Sequence, residues 1–357
     1  MSLNISFFGS SLLSAYWNGA ATYYRGIIRY LHELGHAITF YEPDVYDRQK
    51  HRDIEQPHYA RSVVYSADPD SLERCLKDAS GSDVIIKTSG IGFMDEYIEK
   101  AVLDLKNSMN KVIFWDVDAP ATLDRVENNP YDPFRELIGC YDKIFTYGGG
   151  EKVVDAYRRL GARSCIPVYN ALDPDTHYPV TQEKRFEGAL GFLGNRLPDR
   201  EGRVRDFFFN AAQLNPQMVF LLGGNGWKEQ ELSGSNIKVL GHVYTREHNA
   251  FNSSVKMVLN VNRQSMASYG YSPPTRIFEA AGAAACIITD AWQGIEKFLI
   301  PQKECLVAEN GRDVAKYVKE MDFMDAKKIG LAAQEHIRDE HTYAHRAKIV
   351  DTQLHSI

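Results

Sequence analysis

Short apolar runs alternate with amphipathic stretches along all 357 residues. That rhythm confines the chain to an α/β architecture with parallel sheets, because strand–helix–strand units cover both faces of such sheets. In the first half, residues 4–9, 37–41, 83–88, 111–116 and 143–146 read as strands, each ending in small or polar residues. Helices fit at 20–34, 70–78, 93–105 and 151–160. The first carries Tyr24, Ile27, Ile28, Leu31 and Leu34 on one stripe. A polar, proline-containing stretch, 170–179 (NALDPDTHYP), then interrupts the pattern as a linker does. The rhythm restarts with strands at 189–194, 218–223, 237–240, 257–261 and 286–289 and a helix at 201–215. Helices near 312–321, 326–340 and 343–354 close the chain.

The expected organisation is therefore two Rossmann-like domains facing a cleft, 1–172 and 173–342. A terminal helix, 343–357, returns to the first domain. A net charge of -6 argues against nucleic acid as the main partner, since phosphate-backbone binders show a basic surplus. Five scattered cysteines without a CxxC pair suggest free thiols in a reducing compartment. No window offers about 18 apolar residues without charge. The N-terminus reads as a first strand and not as a signal peptide, so the cytoplasm is the expected location.

Open α/β sheets bind ligands beyond the carboxyl ends of their strands, and several such ends carry suggestive residues. The segment 272–290, SPPTRIFEAAGAAACIITD, holds two prolines that open a short helix with Arg276 and Glu279 on one face. Its free N–H groups favour an anion such as a diphosphate. Arg276 could clamp phosphate, and Glu279 could accept bonds from both ribose hydroxyls. Taken alone, the pair reads more readily as a surface ion pair; the close-packed AAGAAA run and the Gly294 turn beside it shift the reading toward a ligand site. Residues 191–205, GFLGNRLPDREGRVR, run from strand through glycine turn to helix, with Gly194, Asn195, Arg196 and Arg203 placed for phosphate. The full GxGxxG fingerprint is missing, so a solvated basic helix start is the plain alternative. Gly224, in LLGGNG, and the turn His242-Val243-Tyr244 could approach a base edge. Asn262 and Arg263 end another strand, and Ser272 and Thr275 flank the proline pair.

In the first half, Asp116 and Asp118 stand close together at a strand end. Alternation puts them on the same side if the strand continues, and one could be a general base. Asp capping a loop before proline is the competing reading. The loop 9–19, GSSLLSAYWNG, offers Ser10, Tyr16, Trp17 and Asn18 as an acceptor surface, with Gly90 at the neighbouring strand end. His32/His36 and His341/His345 have i,i+4 spacing but no evident third ligand, so no metal site is expected.

Taken together, these motifs resemble those of a GT-B glycosyltransferase, specifically the CgeB-like (spore maturation protein B-like) relatives of the group 1 enzymes. The resemblance rests on WDVDAP (115–120), residues 141–162 and NALDPDTHYP in the first half. In the second half it rests on GFLGNR (191–196), LNVNRQ (259–264), RIFEAAGAAACIITD (276–290), GIEKF (294–298) and YAHRAKIV (343–350). It implies transfer of a sugar from a nucleotide-sugar donor, a UDP-sugar ahead of a GDP- or dTDP-sugar, to an acceptor hydroxyl of a glycan, glycoside or protein. Cell-surface or spore glycan synthesis would be the setting. Glu279 matches the second Glu of the family's Glu-x7-Glu motif, which holds the ribose; the first falls on Tyr271. Arg196 matches the diphosphate-facing residue and Gly241–Tyr244 the base-cradling turn. No metal cofactor is implied, because Arg side chains and the helix dipole stabilise the leaving diphosphate. A nucleotide-sugar epimerase of the same fold is one alternative, and Tyr271 in place of a Glu supports another, a catalytically silent sugar-nucleotide binder.

Overall fold

The computed structural model describes residues 1–16, 18–228, 232 and 236–356. It divides into two compact units, Met1–Tyr169 with Tyr343–Ile357, and Asn170–Thr342.

The first unit holds seven parallel strands: β1 Asn4–Phe8, β2 Ala37–Asp44, β3 Arg61–Ser66, β4 Val84–Thr88, β5 Lys111–Asp116, β6 Lys143–Thr146 and β7 Cys165–Pro167. Their order is β3-β2-β1-β4-β5-β6-β7, so the winding reverses between β1 and β4. Sequence pattern misses β3 and β7, which are the two edges. β3 is partly exposed and β7 spans only three residues. The core is aromatic. Trp115 donates to the Tyr23 hydroxyl (3.1 Å), which donates to the Val168 carbonyl (2.6 Å), so buried polar tips are satisfied in series. The helix Ala21–Glu33 buries Tyr24, Ile27, Ile28 and Leu31. Leu34 lies past the helix end and is exposed, a correction to the expected stripe.

The terminal helix Tyr343–His355 packs in this unit on Ala21–Glu33. A Cβ on Gly26 would lie 2.3 Å from the Tyr343 ring, so only glycine permits that approach. Arg346 donates to the Tyr169 carbonyl (3.1 Å), and the ring of His36 meets Asp351 at 2.9 Å.

The second unit repeats the topology with six parallel strands: β8 Leu190–Leu193, β9 Phe220–Gly223, β10 Ile237–Gly241, β11 Met257–Asn260, β12 Cys286–Asp290 and β13 Leu306–Ala308. Their order is β10-β9-β8-β11-β12-β13, with the reversal between β8 and β11. Among the described strands here, pattern misses β13, again a short edge. One side of the sheet is covered by the helical run 198–214, which buries Val204, Phe207, Phe208 and Ala211 against Phe192, Phe220 and Leu222. All five cysteines are free thiols, four of them buried. Among the described residues, no helix is long and apolar enough to cross a membrane.

Candidate active site

The strand order reverses between β8 and β11, and the carboxyl end of a sheet at such a reversal is where these folds take ligands. Two glycine loops meet beside this reversal. Gly194 N–H donates to the Gly223 carbonyl (2.9 Å), and the Trp227 indole donates to the Gly194 carbonyl (2.7 Å). Gly224 has φ +126°, and a Cβ there would come 2.3 Å from the Gly194 oxygen. The loops can touch only because neither carries a side chain.

Arg276 is planted at this reversal. Its Nε donates to the Leu193 carbonyl at the end of β8 (2.8 Å), and its Nη1 donates to Asn260 Oδ1 at the end of β11 (2.8 Å). The guanidinium lies over the Phe192 ring. Arg200 lies over the same ring and donates to the Asn195 carbonyl (2.6 Å). Burial, with repulsion from Arg276 and Arg263, pushes the Arg200 guanidinium down to about 9. Burial also lowers Arg276, against the pull of Glu279 and Asp290. Two half-buried cations that repel each other beside exposed backbone form a site for an anion. Asn262 adds a donor: its amide Nδ2 is buried with no partner among the described residues. The helix Thr275–Gly282 starts without a side-chain cap, leaving first-turn N–H groups unpaired by one.

The other expected phosphate contacts sit differently. Arg196 grips Glu201 with two parallel bonds of 2.9 Å, Arg203 donates to the buried Asp290 (2.6 Å), and Arg263 donates to Asp199 (3.0 Å). Each of these charges already faces a carboxylate. Sequence reading puts Arg200 in a basic cluster with Arg196, Arg203 and Arg205 that could bind one nucleotide but favours Arg196 and Arg203, because nothing in the linear pattern reveals which arginines have acidic partners across the fold. Ser272 is buried and donates to the Gly270 carbonyl (3.0 Å), while Thr275 begins the helix. Asn195 accepts from Asn225 N–H (2.9 Å). In the turn after β10, His242 packs edge-on to the exposed Tyr244 and Val243 is buried. Tyr271 has φ +45°, and its ring covers Gly294: a Cβ there would lie 2.3 Å from Tyr271 Cδ1. The Tyr271 ring therefore packs against this glycine turn.

Glu279 is not alone with Arg276. His177 Nε2 lies 3.9 Å from its Oε1 and His248 Nδ1 3.6 Å from its Oε2. Burial would raise the carboxyl, but His248, His177 and Arg276 outweigh it and hold it at about 2. A group that the close-spaced histidine pairs did not suggest gathers here. These three side chains bring ligand atoms within 4.8 Å of one another. They come from three elements distant in sequence, so close-spaced histidine pairs could not announce them. The His32/His36 spacing is incidental, since His36 falls beyond the helix and bonds Leu3 N–H (3.1 Å) and Asp351.

In the first unit, β5 ends at Asp116 and Asp118 begins the helix Ala119–Asn128, so the strand does not continue and the two carboxyls do not share a face. Asp116 is fully buried. Its Oδ1 accepts from Ser89 Oγ (2.8 Å), Asp118 N–H (3.0 Å) and Thr122 Oγ1 (3.1 Å), and its Oδ2 accepts from the Tyr157 hydroxyl (2.5 Å). Burial raises this carboxyl despite those donors. A group so enclosed organises the strand end and does not reach a substrate. Asp118 is exposed and makes no side-chain cap.

The loop after β1 is self-contained. Buried Glu42 accepts from Ser11 Oγ (3.0 Å) and from the N–H groups of Leu12 and Leu13 (2.5 and 3.1 Å). Ser10 donates to Asn18 (3.2 Å), and Asn18 donates to the Ser11 carbonyl (2.8 Å). Ser10 and Asn18 are thus buried loop-builders. Tyr16 is exposed and stacks on His51. Gly90, at φ +142°, faces Ser10. Trp17 lies outside the described residues.

Comparison with solved structures places this two-sheet architecture in the GT-B fold class. Sucrose-phosphate synthase from Thermosynechococcus elongatus is 13% identical with a TM-score of 0.70, covering 99% of this chain and 98% of that one. The Anabaena protein HepE, solved in complex with UDP-glucose, is also 13% identical at 0.70, covering 99% and 100%. An alpha-glucosyltransferase, solved with UDP-glucose and DNA containing an abasic site, is 12% identical at 0.70 over the same shares. Residues 200–351 match the family model described as "Glycosyl transferase-like". No curated protein sequence matches the chain significantly.

Proposed function

We propose that the chain is a nucleotide-sugar-dependent glycosyltransferase of the CgeB-like kind, with the donor bound by the second unit and the acceptor by the first. The observation that carries this reading is Arg276. It is anchored to the ends of β8 and β11 with Arg200 beside it and Glu279 one turn along. The glycosyl transferase-like match covers this region, and UDP-glucose in HepE supports a UDP-sugar donor. In the reaction the bond from the anomeric carbon to the diphosphate oxygen breaks and one to the acceptor oxygen forms. Arg276 and Arg200 stabilise the charge that collects on the leaving diphosphate, so this step requires no metal. Glu279, held ionised, accepts from the ribose hydroxyls. If the enzyme inverts, exposed Asp118 takes the acceptor proton; buried Asp116 is unsuited to that role.

A thermal-shift series with UDP-, GDP-, dTDP-, CMP- and ADP-sugars tests the reading. A bound donor at about 100 times its Kd adds about 2.7 kcal/mol of stability. A UDP-sugar is expected to raise the Tm of the wild type and not of Glu279→Ala. Silence with every donor would sink the proposal.

A further inference from the structure

Glu279 and its two histidines form more than an ion pair. Thr176 Oγ1 donates to the Asp173 carbonyl (3.2 Å), which leaves the hydroxyl oxygen to accept from His177 Nδ1–H (2.8 Å). That bond fixes the tautomer and leaves a lone pair on His177 Nε2, a buried atom with no hydrogen-bond partner among the described residues. His248 Nδ1 is likewise a buried nitrogen, 3.6 Å from Glu279 Oε2, while the Val243 carbonyl engages the ring. Two imidazole nitrogens therefore converge on one carboxylate at 3.9 and 3.6 Å, both beyond hydrogen-bond distance. The three ligand atoms lie within 4.8 Å of one another, a spacing that leaves room for a cation among them.

We propose that His177 Nε2, His248 Nδ1 and a Glu279 carboxylate oxygen bind a divalent transition-metal ion of the zinc type. Ligands at about 2.0–2.1 Å from a tetrahedral zinc lie slightly closer together than these pairs, so a small inward turn closes the site. Two nitrogens and one carboxylate form a donor set that zinc and cobalt accept. Both histidines carry the outer hydrogen bond typical of metal ligands, to Thr176 and to a backbone carbonyl. The other histidine–carboxylate group offers less: His336 Nδ1 is already bonded to Glu304 (2.6 Å). The site stands on the geometry of the second unit and does not require the donor reading.

Titrating the full chain with Co2+, followed by visible absorption and by displacement with Zn2+, tests it without any nucleotide. One equivalent is expected in the wild type and in His336→Ala, and none in His177→Ala or His248→Ala. Thr176→Val keeps all three ligands but frees the His177 tautomer, and should weaken binding about 10-fold or more. Thermal melts check that the variants fold, and Thr176→Val still reports if an alanine variant does not. Absence of a cobalt spectrum in the wild type would leave the trio as an ion-pair cluster and overturn the proposal. Equal binding by the wild type and Thr176→Val, or by a folded His177→Ala/His248→Ala variant, would overturn it too.

Discussion

The two sheets share one winding order, yet their reversal points are built from opposite chemistry. In the first unit, the strands flanking the reversal pair, β2 and β5, bury carboxylates. Glu42 gathers the N–H groups of the β1 loop, and Asp116 gathers three hydroxyls and an N–H. In the second, the strand ends hold guanidiniums. Arg276 and Arg200 donate to uncharged oxygens and lie over the Phe192 ring, while the buried Asp290 is answered by Arg203. Topology supplies a reversal in both units. The sign of the charge placed there, and whether it is already answered, decides which reversal can take a diphosphate.

The sharpest way to break this contrast is Arg276→Met. Loss of a donor aimed at developing charge should lower kcat about 10²–10³-fold, or about 2.7–4 kcal/mol, with a UDP-sugar donor. Arg196→Met, which removes a charge already balanced by Glu201, should cost much less. Equal losses in steady-state kinetics would erase the distinction between answered and unanswered arginines.

The next largest effect concerns the first unit's buried acids. Burial lifts the Glu99 carboxyl from 4.5 to about 7, and Lys87 and Arg125 only partly oppose it. Below the ordinary carboxyl range both folded and unfolded chains hold the proton. Between 4.5 and about 7 only the folded chain does, so stability falls as pH rises through that window. The full loss is on the order of 3 kcal/mol. Glu99→Gln should flatten this part of the urea-denaturation profile; an unchanged slope would show that Glu99 is not its source.

A smaller effect is expected at Ser89, which donates to Asp116 and accepts from Val117 N–H (2.8 Å). Ser89→Ala should cost about 1–2 kcal/mol in chemical denaturation and leave donor binding unchanged. A change in nucleotide affinity would tie the hydroxyl network to the second unit's ligand. The smallest belongs to Arg263→Ala. Its half-exposed pair with Asp199 is worth about 0.2–1 kcal/mol of stability by denaturation. A larger loss would mean that this arginine carries more than a surface ion pair.

Much of this molecule is legible in its sequence. Alternating strands and helices placed ten of thirteen strands, because strands buried on both faces write continuous apolar runs. The three that escaped, β3, β7 and β13, are sheet edges, where short length or partial exposure weakens that signal. The proline-opened helix, its Arg276–Glu279 spacing and the glycine loops were readable too, since helix starts and tight turns depend on local residue chemistry. Tertiary structure alone decided the charge partners. Arg196, Arg203 and Arg263 found carboxylates, Arg200 did not, Asp116 was sealed among hydroxyls, and His177, His248 and Glu279 converged. Periodicity depends on near neighbours along the chain, whereas an electrostatic environment depends on which distant side chains the fold carries within a few ångströms.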